Sequence, residues 1–395
     1  MQRFNRPLAL SRSRARARMT ARASLLGLGL AALALGQTAC DDQEPARARL
    51  APAPKASSGD AKVVKKASRP APSADQVQQL AKRFFSPLPA RAESASNPIT
   101  EAKVALGRTL YYDKRLSKNH DVSCNTCHLL DKFGVDGTPV STGHKGQKGD
   151  RNAPTVYNAA LHFTQFWDGR EPDVEAQAKG PLTNPIEMAM ADHDAVMKTI
   201  KSIPGYVEMF KAAYPEAKDP MTIDNYAMAV GAFERGLITP GPFDKFLQGE
   251  SKALSKDALR GLQLFVDAQC VTCHVGAALG GTQFQKIGNL KDYPTEDMGR
   301  FKVTNNEADK KVFKVPSLRN ITKTGPYFHD GSKATLEDAI NTMAEYQTVK
   351  GSFTDEERTD LIAFLETLTG EIDQEYIKEP PMPESGPKTP KPDPT

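Results

Sequence analysis

Tryptophan occurs once in these 395 residues and cysteine only five times, too sparse a set for a disulfide-built scaffold. Runs that alternate like β-strands are almost missing, which argues against a sandwich or barrel. The one conspicuous apolar run, Ala23 to Gly36, has 14 residues, short of the ~20 that span a bilayer as a helix. A basic excess is lacking too. The net charge is +4, but residues 1–39 hold seven arginines and no acid, so the rest of the chain stands at −3. That balance leaves no basic excess to suggest nucleic acid, and no such partner is expected. With 39% apolar and 25% charged residues, the composition is that of a globular protein of two or three domains.

The arginines from Arg3 to Arg22, followed by the short apolar run, have the form of an export signal over residues 1–39. Gln37-Thr38-Ala39-Cys40 resembles a lipoprotein cleavage box but lacks the usual leucine three residues before the cysteine. Lipid attachment at Cys40 and a disulfide half or free thiol there are the alternatives. Residues 41–75 are rich in Ala, Pro, Lys and Ser without apolar period, which predicts a flexible tether. Residues 371–395 contain seven prolines and predict an extended tail.

Four of the five cysteines form Cys124-Asn125-Thr126-Cys127-His128 and Cys270-Val271-Thr272-Cys273-His274. Both fit C-x-x-C-H, the attachment motif of c-type haem. Two thiols three residues apart add to the two vinyl groups of one haem, and the adjacent imidazole reaches the iron. A thioredoxin-like pair needs no histidine and is not normally duplicated. Paired zinc motifs lie within tens of residues of each other and rarely carry a following histidine. Structural disulfides of this spacing would be short and strained. Two covalent haems are therefore expected.

A repeat accompanies the motifs. Gly107-x-x-x-Tyr111 precedes the first and Gly261-x-x-x-Phe265 the second, on short amphipathic stretches that include Leu106, Leu110, Leu259 and Leu262. A later helix follows in each half. Ile223, Tyr226, Ala227, Val230, Phe233 and Leu237 share one face in the first. In the second, Thr354-Asp355-Glu356-Glu357 fits a capping box, Leu361, Ile362, Phe364, Leu365 and Leu368 form the buried face, and Gly370 is the expected stop. The predicted fold is mainly α, two cytochrome c-like haem domains packed side by side.

A haem that only carries electrons is usually closed on both faces, whereas one that does chemistry needs an open position. For the second haem, Met343, just before the last helix, is favoured over Met298 as a thioether ligand, and a His/Met pair raises the potential. For the first, Met188, Met190 and His144 are all available. His144 stands in a loop with Gly137, Gly143, Gly146 and Gly149, free enough in backbone for a ligand that binds and leaves, although solvent exposure would explain such a histidine equally well.

Longer strings carry a family resemblance. Cys124–His128, Gly143-His144, Arg151-Asn152-Ala153-Pro154-Thr155-Val156-Tyr157-Asn158, Gln165-Phe166-Trp167-Asp168-Gly169-Arg170, Gln177-Ala178-Lys179-Gly180-Pro181, Arg319-Asn320 and Pro326-Tyr327-Phe328-His329-Asp330-Gly331 resemble the bacterial dihaem cytochrome c peroxidases, over residues 98 to 370. The resemblance implies hydrogen peroxide as substrate and a small cytochrome c or cupredoxin as electron donor. It implies His144 as the removable ligand of a low-potential first haem, Glu187 and Gln177 as distal residues that handle peroxide, and Trp167 between the haems. It further implies Met343 on the second haem, calcium at Asn152, Thr324 and Pro326, and a homodimer. His329 is expected to pack near the second haem, and His120, His162 and His193 to be surface or structural.

These readings divide the chain into a signal peptide (1–39), a flexible tether (40–85), an N-terminal domain with the peroxidatic haem (86–245), a C-terminal domain with the electron-transfer haem (246–370) and a Pro-rich tail (371–395). The place of action is periplasmic, with a membrane tether if Cys40 is acylated. A plain electron carrier would need both irons capped, for example by Met188 and Met343. The protein-oxidising branch of the superfamily resembles this chain less, because it has a tyrosine where Met343 stands and lacks the His144 loop.

Overall fold

A glycine lets two helices touch in each half of the molecule. Among the described residues, the helices of seven residues or more are α1 (Ala74–Ala81), α2 (Glu101–Tyr112), α3 (His193–Lys201), α4 (Pro204–Ala213), α5 (Ile223–Glu234), α6 (Pro242–Gln248), α7 (Lys256–Asp267), α8 (Leu336–Gln347) and α9 (Asp355–Glu366). They come from a computed structural model that describes residues 69–395; the export signal, Cys40 and the tether up to residue 68 lie outside the described residues. Thr100, Asp192, Thr222, Ser255, Thr335 and Thr354 cap helix N-termini with side-chain oxygens. The only sheet among the described residues is a two-stranded antiparallel pair, β1 (Phe284–Lys286) and β2 (Val312–Lys314), with Phe284 opposite Lys314.

In the first module α2 crosses α5, and a Cβ on Gly107 would stand 1.9 Å from the Ala229 carbonyl oxygen. In the second, α7 crosses α9, with Gly261 placed 1.9 Å from the Asp360 oxygen in the same sense. Leu106, Leu110, Tyr111, Tyr226, Val230 and Phe233 fill one crossing, and Leu262, Phe265, Leu361, Phe364 and Leu368 the other. The fold is mainly α with two cytochrome c-like modules, as the helical periods predict. The Thr354/Glu357 capping box is present. Helix α9 stops at Glu366, however, not at Gly370. Gly370 serves close packing instead, since a Cβ there would meet the Thr239 carbonyl oxygen at 2.0 Å.

Two stretches expected to be loose are packed. Part of the 40–85 tether folds as α1, and Val77, Ala81 and Phe85 are buried in the core of the second module, where Phe85 meets Phe243 edge-on at 5.5 Å. The tail is extended, but it lies across the first module. Tyr376 stacks on Phe233 at 5.3 Å, its hydroxyl donates to the Phe233 carbonyl, and Ile377 is buried. Arg108 donates to the carbonyls of Glu375 and Tyr376, and Arg115 to that of Pro383. Composition hid both, because a few apolar anchors suffice to hold a polar segment. Among the described residues, no helix is long and apolar enough to cross a membrane.

The halves also repeat in their loops, at a spacing of 162 residues. Asn158 and Asn320 are both left-handed (φ 61° and 59°), and each amide side chain donates to the same Thr239 hydroxyl. Phe166 and Phe328 share the left-handed region too, and Gln165–Glu171 and Tyr327–Lys333 form matching bridges. Contacts across the seam are reciprocal. The Lys314 N–H donates to the Trp167 carbonyl at 2.8 Å, and the Asn152 N–H to the His329 carbonyl at 2.8 Å. Residue i of one module meets j of the other and j meets i, the signature of an approximate two-fold relation.

Candidate functional site

Each C-x-x-C-H segment is one tight turn that sets two thiols and an imidazole side by side. Ser123 and Thr126 exchange capping bonds around the first, and the His128 N–H closes it onto the Cys124 carbonyl. None of these four cysteines is joined to another in a disulfide. Burial pushes Cys124 and Cys270 up to about 12 and Cys127 up to about 11. The imidazoles are oriented alike, with His128 Nδ1 3.3 Å from the Gly134 carbonyl and His274 Nδ1 3.1 Å from that of Leu279. A carbonyl only accepts, so Nδ1 carries the proton and Nε2 keeps its lone pair for a metal. Burial lowers both, His274 to about 4, which keeps that nitrogen unprotonated. Two thiols, an Nε2 lone pair and a cavity in front of them fit a covalent haem.

That cavity, about 350 Å³, is bounded by Cys124, Cys127 and His128 on one side. Gln177, Glu187 and Trp167 also line it, so the structure brings the three expected distal and relay residues to one chamber. Asn184 donates to Glu187 Oε1 at 2.9 Å. Burial raises the Glu187 carboxyl, opposed by the Arg170 charge and the Asn184 bond. Met188 reaches the wall as well, and is 3% exposed within the core. Gly143 is in the wall but His144 is not. His144 is buried with Nδ1 unpartnered, and its N–H donates to the Glu187 carbonyl, which fastens the loop to the distal segment.

In the second module, Met343 is half-buried on α8 next to Ala344, which belongs to the core containing Phe265. Phe265 lies 6.3 Å from the His274 ring. Met298 is half-buried in the loop before β2, its carbonyl accepting from the Lys311 N–H. Between the modules, the Trp167 indole N–H donates to the Asn152 carbonyl at 2.9 Å. The indole meets the His329 ring edge-on at 6.4 Å, and His329 stacks on Phe313 at 4.3 Å. His329 is thus a seam residue whose Nε2 lies 3.1 Å from the Thr295 hydroxyl. The Asn152 side-chain amide donates to the Thr138 carbonyl, which leaves Oδ1 open to accept. No cluster of three His, Cys, Asp or Glu side chains suited to a metal occurs among the described residues.

Residues 101–252 match the di-haem cytochrome c peroxidase family, and residues 258–369 match cytochrome c. A cytochrome c551 peroxidase from Nitrosomonas europaea is 46% identical over 306 residues, covering 77% of this chain and 90% of that protein. The chain belongs to the di-haem cytochrome c peroxidase family. A second relative in this family, the cytochrome c551 peroxidase of Pseudomonas aeruginosa, is 41% identical over 82% of this chain and 94% of its own length. Among solved structures, a MauG-like protein associated with microbial copper homeostasis is 34% identical at a TM-score of 0.67, covering 74% of this chain and 97% of that one.

Some polar groups of this peroxidase-family chain escaped sequence reasoning. Arg151 donates to Asp297 across the seam at 2.6 Å and to Asp168 at 2.7 Å. Glu234, in the wall of the first cavity, is pushed up to about 8 by burial. Lys314 is 5% exposed, and its ammonium donates to the Thr164 carbonyl at 3.1 Å and lies 3.2 Å from His162 Nδ1. The 162-residue loop repeat is the signal that finds Lys314. In the sequence it shows as Pro154, Asn158, Phe166, Asp168 and Gly169 recurring as Pro316, Asn320, Phe328, Asp330 and Gly331.

Proposed function

We propose that this chain reduces hydrogen peroxide to water at the first haem, with electrons from a small cytochrome c or cupredoxin received at the second. The observation that carries this reading is a cavity in which a C-x-x-C-H turn faces a buried carboxyl with a raised pKa. Cys124, Cys127 and His128 would hold one haem, and Cys270, Cys273, His274 and Met343 the other. Bound there, haem supplies iron that exchanges single electrons.

The chain's residues handle protons and position. Glu187 takes a proton from one peroxide oxygen and returns it to the other, so that water leaves rather than hydroxide. Such a relay contributes about 10²–10⁴ in rate. The Asn184 amide aims the carboxyl, and Gln177 offers a neutral hydrogen-bonding partner. Overall, one peroxide, two electrons and two protons give two waters. Trp167, fixed by the Asn152 carbonyl and packed on His329, shortens the electron path between modules. His144, buried on a loop that its backbone N–H fastens to the Glu187 carbonyl, would be the removable cap of the first haem.

Asn152 Oδ1 with the Thr324 and Pro326 carbonyls would take calcium, a hard cation suited to neutral oxygens plus water. Export to the periplasm, a lipid at Cys40 and a homodimer complete the reading. The test is to add peroxide to half-reduced, haem-loaded protein. Consumption of one peroxide per two electrons is expected. A protein that consumes none while both haems remain loaded is a relay, and the reading fails.

A further inference from the structure

A lysine ammonium is buried in the seam without a carboxylate at hydrogen-bond distance. Lys314 Nζ has the Thr164 carbonyl and His162 Nδ1 as neutral partners, and Asp168 is the acid that acts on it from further away. Asp168 itself is held by Arg151 and Arg170. Because Nζ donates to His162 Nδ1, the imidazole proton stands on Nε2, which is buried without a partner. A Cβ on Gly281 would lie 2.2 Å from the His162 ring, so the ring is tightly confined. Burying a cation among neutral groups is costly, and burial pushes Lys314 down to about 8. Its retention needs a reason.

The loop repeat supplies one. Adding 162 to Asn152 reaches Lys314, adding it to His162 reaches Thr324, and adding it to Thr164 reaches Pro326. Lys314 and Asn152 donate their backbone N–H groups to equivalent residues, Trp167 and His329. We infer that the Lys314 ammonium is a built-in cation at the two-fold-related counterpart of the place where Asn152, Thr324 and Pro326 take calcium. The inference rests on the calcium reading proposed above.

The seam then has two cation positions, at Asn152 and at Lys314, each tying one module to the aromatic-bearing loop of the other. One is filled by the chain itself. The other has a short neutral asparagine where its counterpart has a lysine, and so recruits a free cation. The correspondence is close at the Thr164 and Pro326 carbonyls. At the remaining position the Lys314 side uses the His162 imidazole.

The experiment is calcium titration calorimetry with thermal melting, on haem-loaded protein stripped by EGTA. The unsubstituted chain is expected to bind one calcium and to melt lower when stripped. Asn152→Lys is expected to bind none and to melt at the calcium-loaded temperature with or without EGTA. If Asn152→Lys binds none but melts like the stripped parent, the ammonium does not replace the ion and the inference is overturned. Lys314→Asn gives the reciprocal reading, a second calcium at about millimolar affinity. A stoichiometry that stays at one overturns the equivalence. Should the unsubstituted chain bind no calcium at all, the calcium reading itself falls, an outcome distinct from the other two.

Discussion

Burial raises the proton affinity of Glu187, against the Arg170 charge and the hydrogen bond that Asn184 donates. Glu187→Gln keeps the shape and removes the ionisable carboxyl. Peroxide turnover by the haem-loaded variant is expected to fall about 10²–10⁴-fold, with both haem spectra unchanged; an unaltered steady-state rate would remove Glu187 from the reaction. At this scale much of the site was legible. The thiols, both imidazoles, Trp167, Gln177 and Glu187 lie in short strings with recognisable neighbours. Lys314, Glu234 and the Arg151–Asp297 pair were not legible, because a charged residue in a sequence reads as solvated until its burial is known.

Helix pairs are where sequence and fold agreed best. A glycine followed four residues later by an aromatic marks each crossing, since only a residue without Cβ allows a backbone oxygen so near. Gly261→Ala forces α7 away from α9 and is expected to cost about 3 kcal/mol, read as a lower denaturation midpoint of the loaded protein. A midpoint unchanged within error would mean that the crossing is loose. Elements held by a few anchors were hidden. Helix α1 and the residues just after it have Val77, Leu80, Ala81, Phe84 and Phe85 at helical spacing, but they directly follow the Ala-, Pro- and Lys-rich stretch and composition groups them with it; the tail offers only Tyr376 and Ile377 among prolines, without a period. The end of α9 was misplaced for a related reason, as Gly370 answers to Thr239 rather than to helix termination.

Across the whole molecule, the two ends of the described chain cross over. Residues 74–85 complete the second module, and residues 376–393 dress the first, where the Asp393 N–H donates to the Lys118 carbonyl. Deleting residues 371–395 uncovers Phe233 and removes the burial of Ile377. The first module is expected to lose about 3 kcal/mol or more, seen as an earlier loss of its haem spectrum during urea titration while the second haem persists. Simultaneous loss of both signals at the parental midpoint would show that the strap contributes nothing.

The crossed ends also fix an order of manufacture. Emerging from its N-terminus, the chain has every helix of the first module available early, but the segment that covers Phe233 is made last. The second module, whose own sealing helix was made first, needs nothing beyond residue 370 to close. The first module is therefore the later one to be finished, and a polypeptide ended after residue 370 would carry a closed second module beside a first module with Phe233 uncovered.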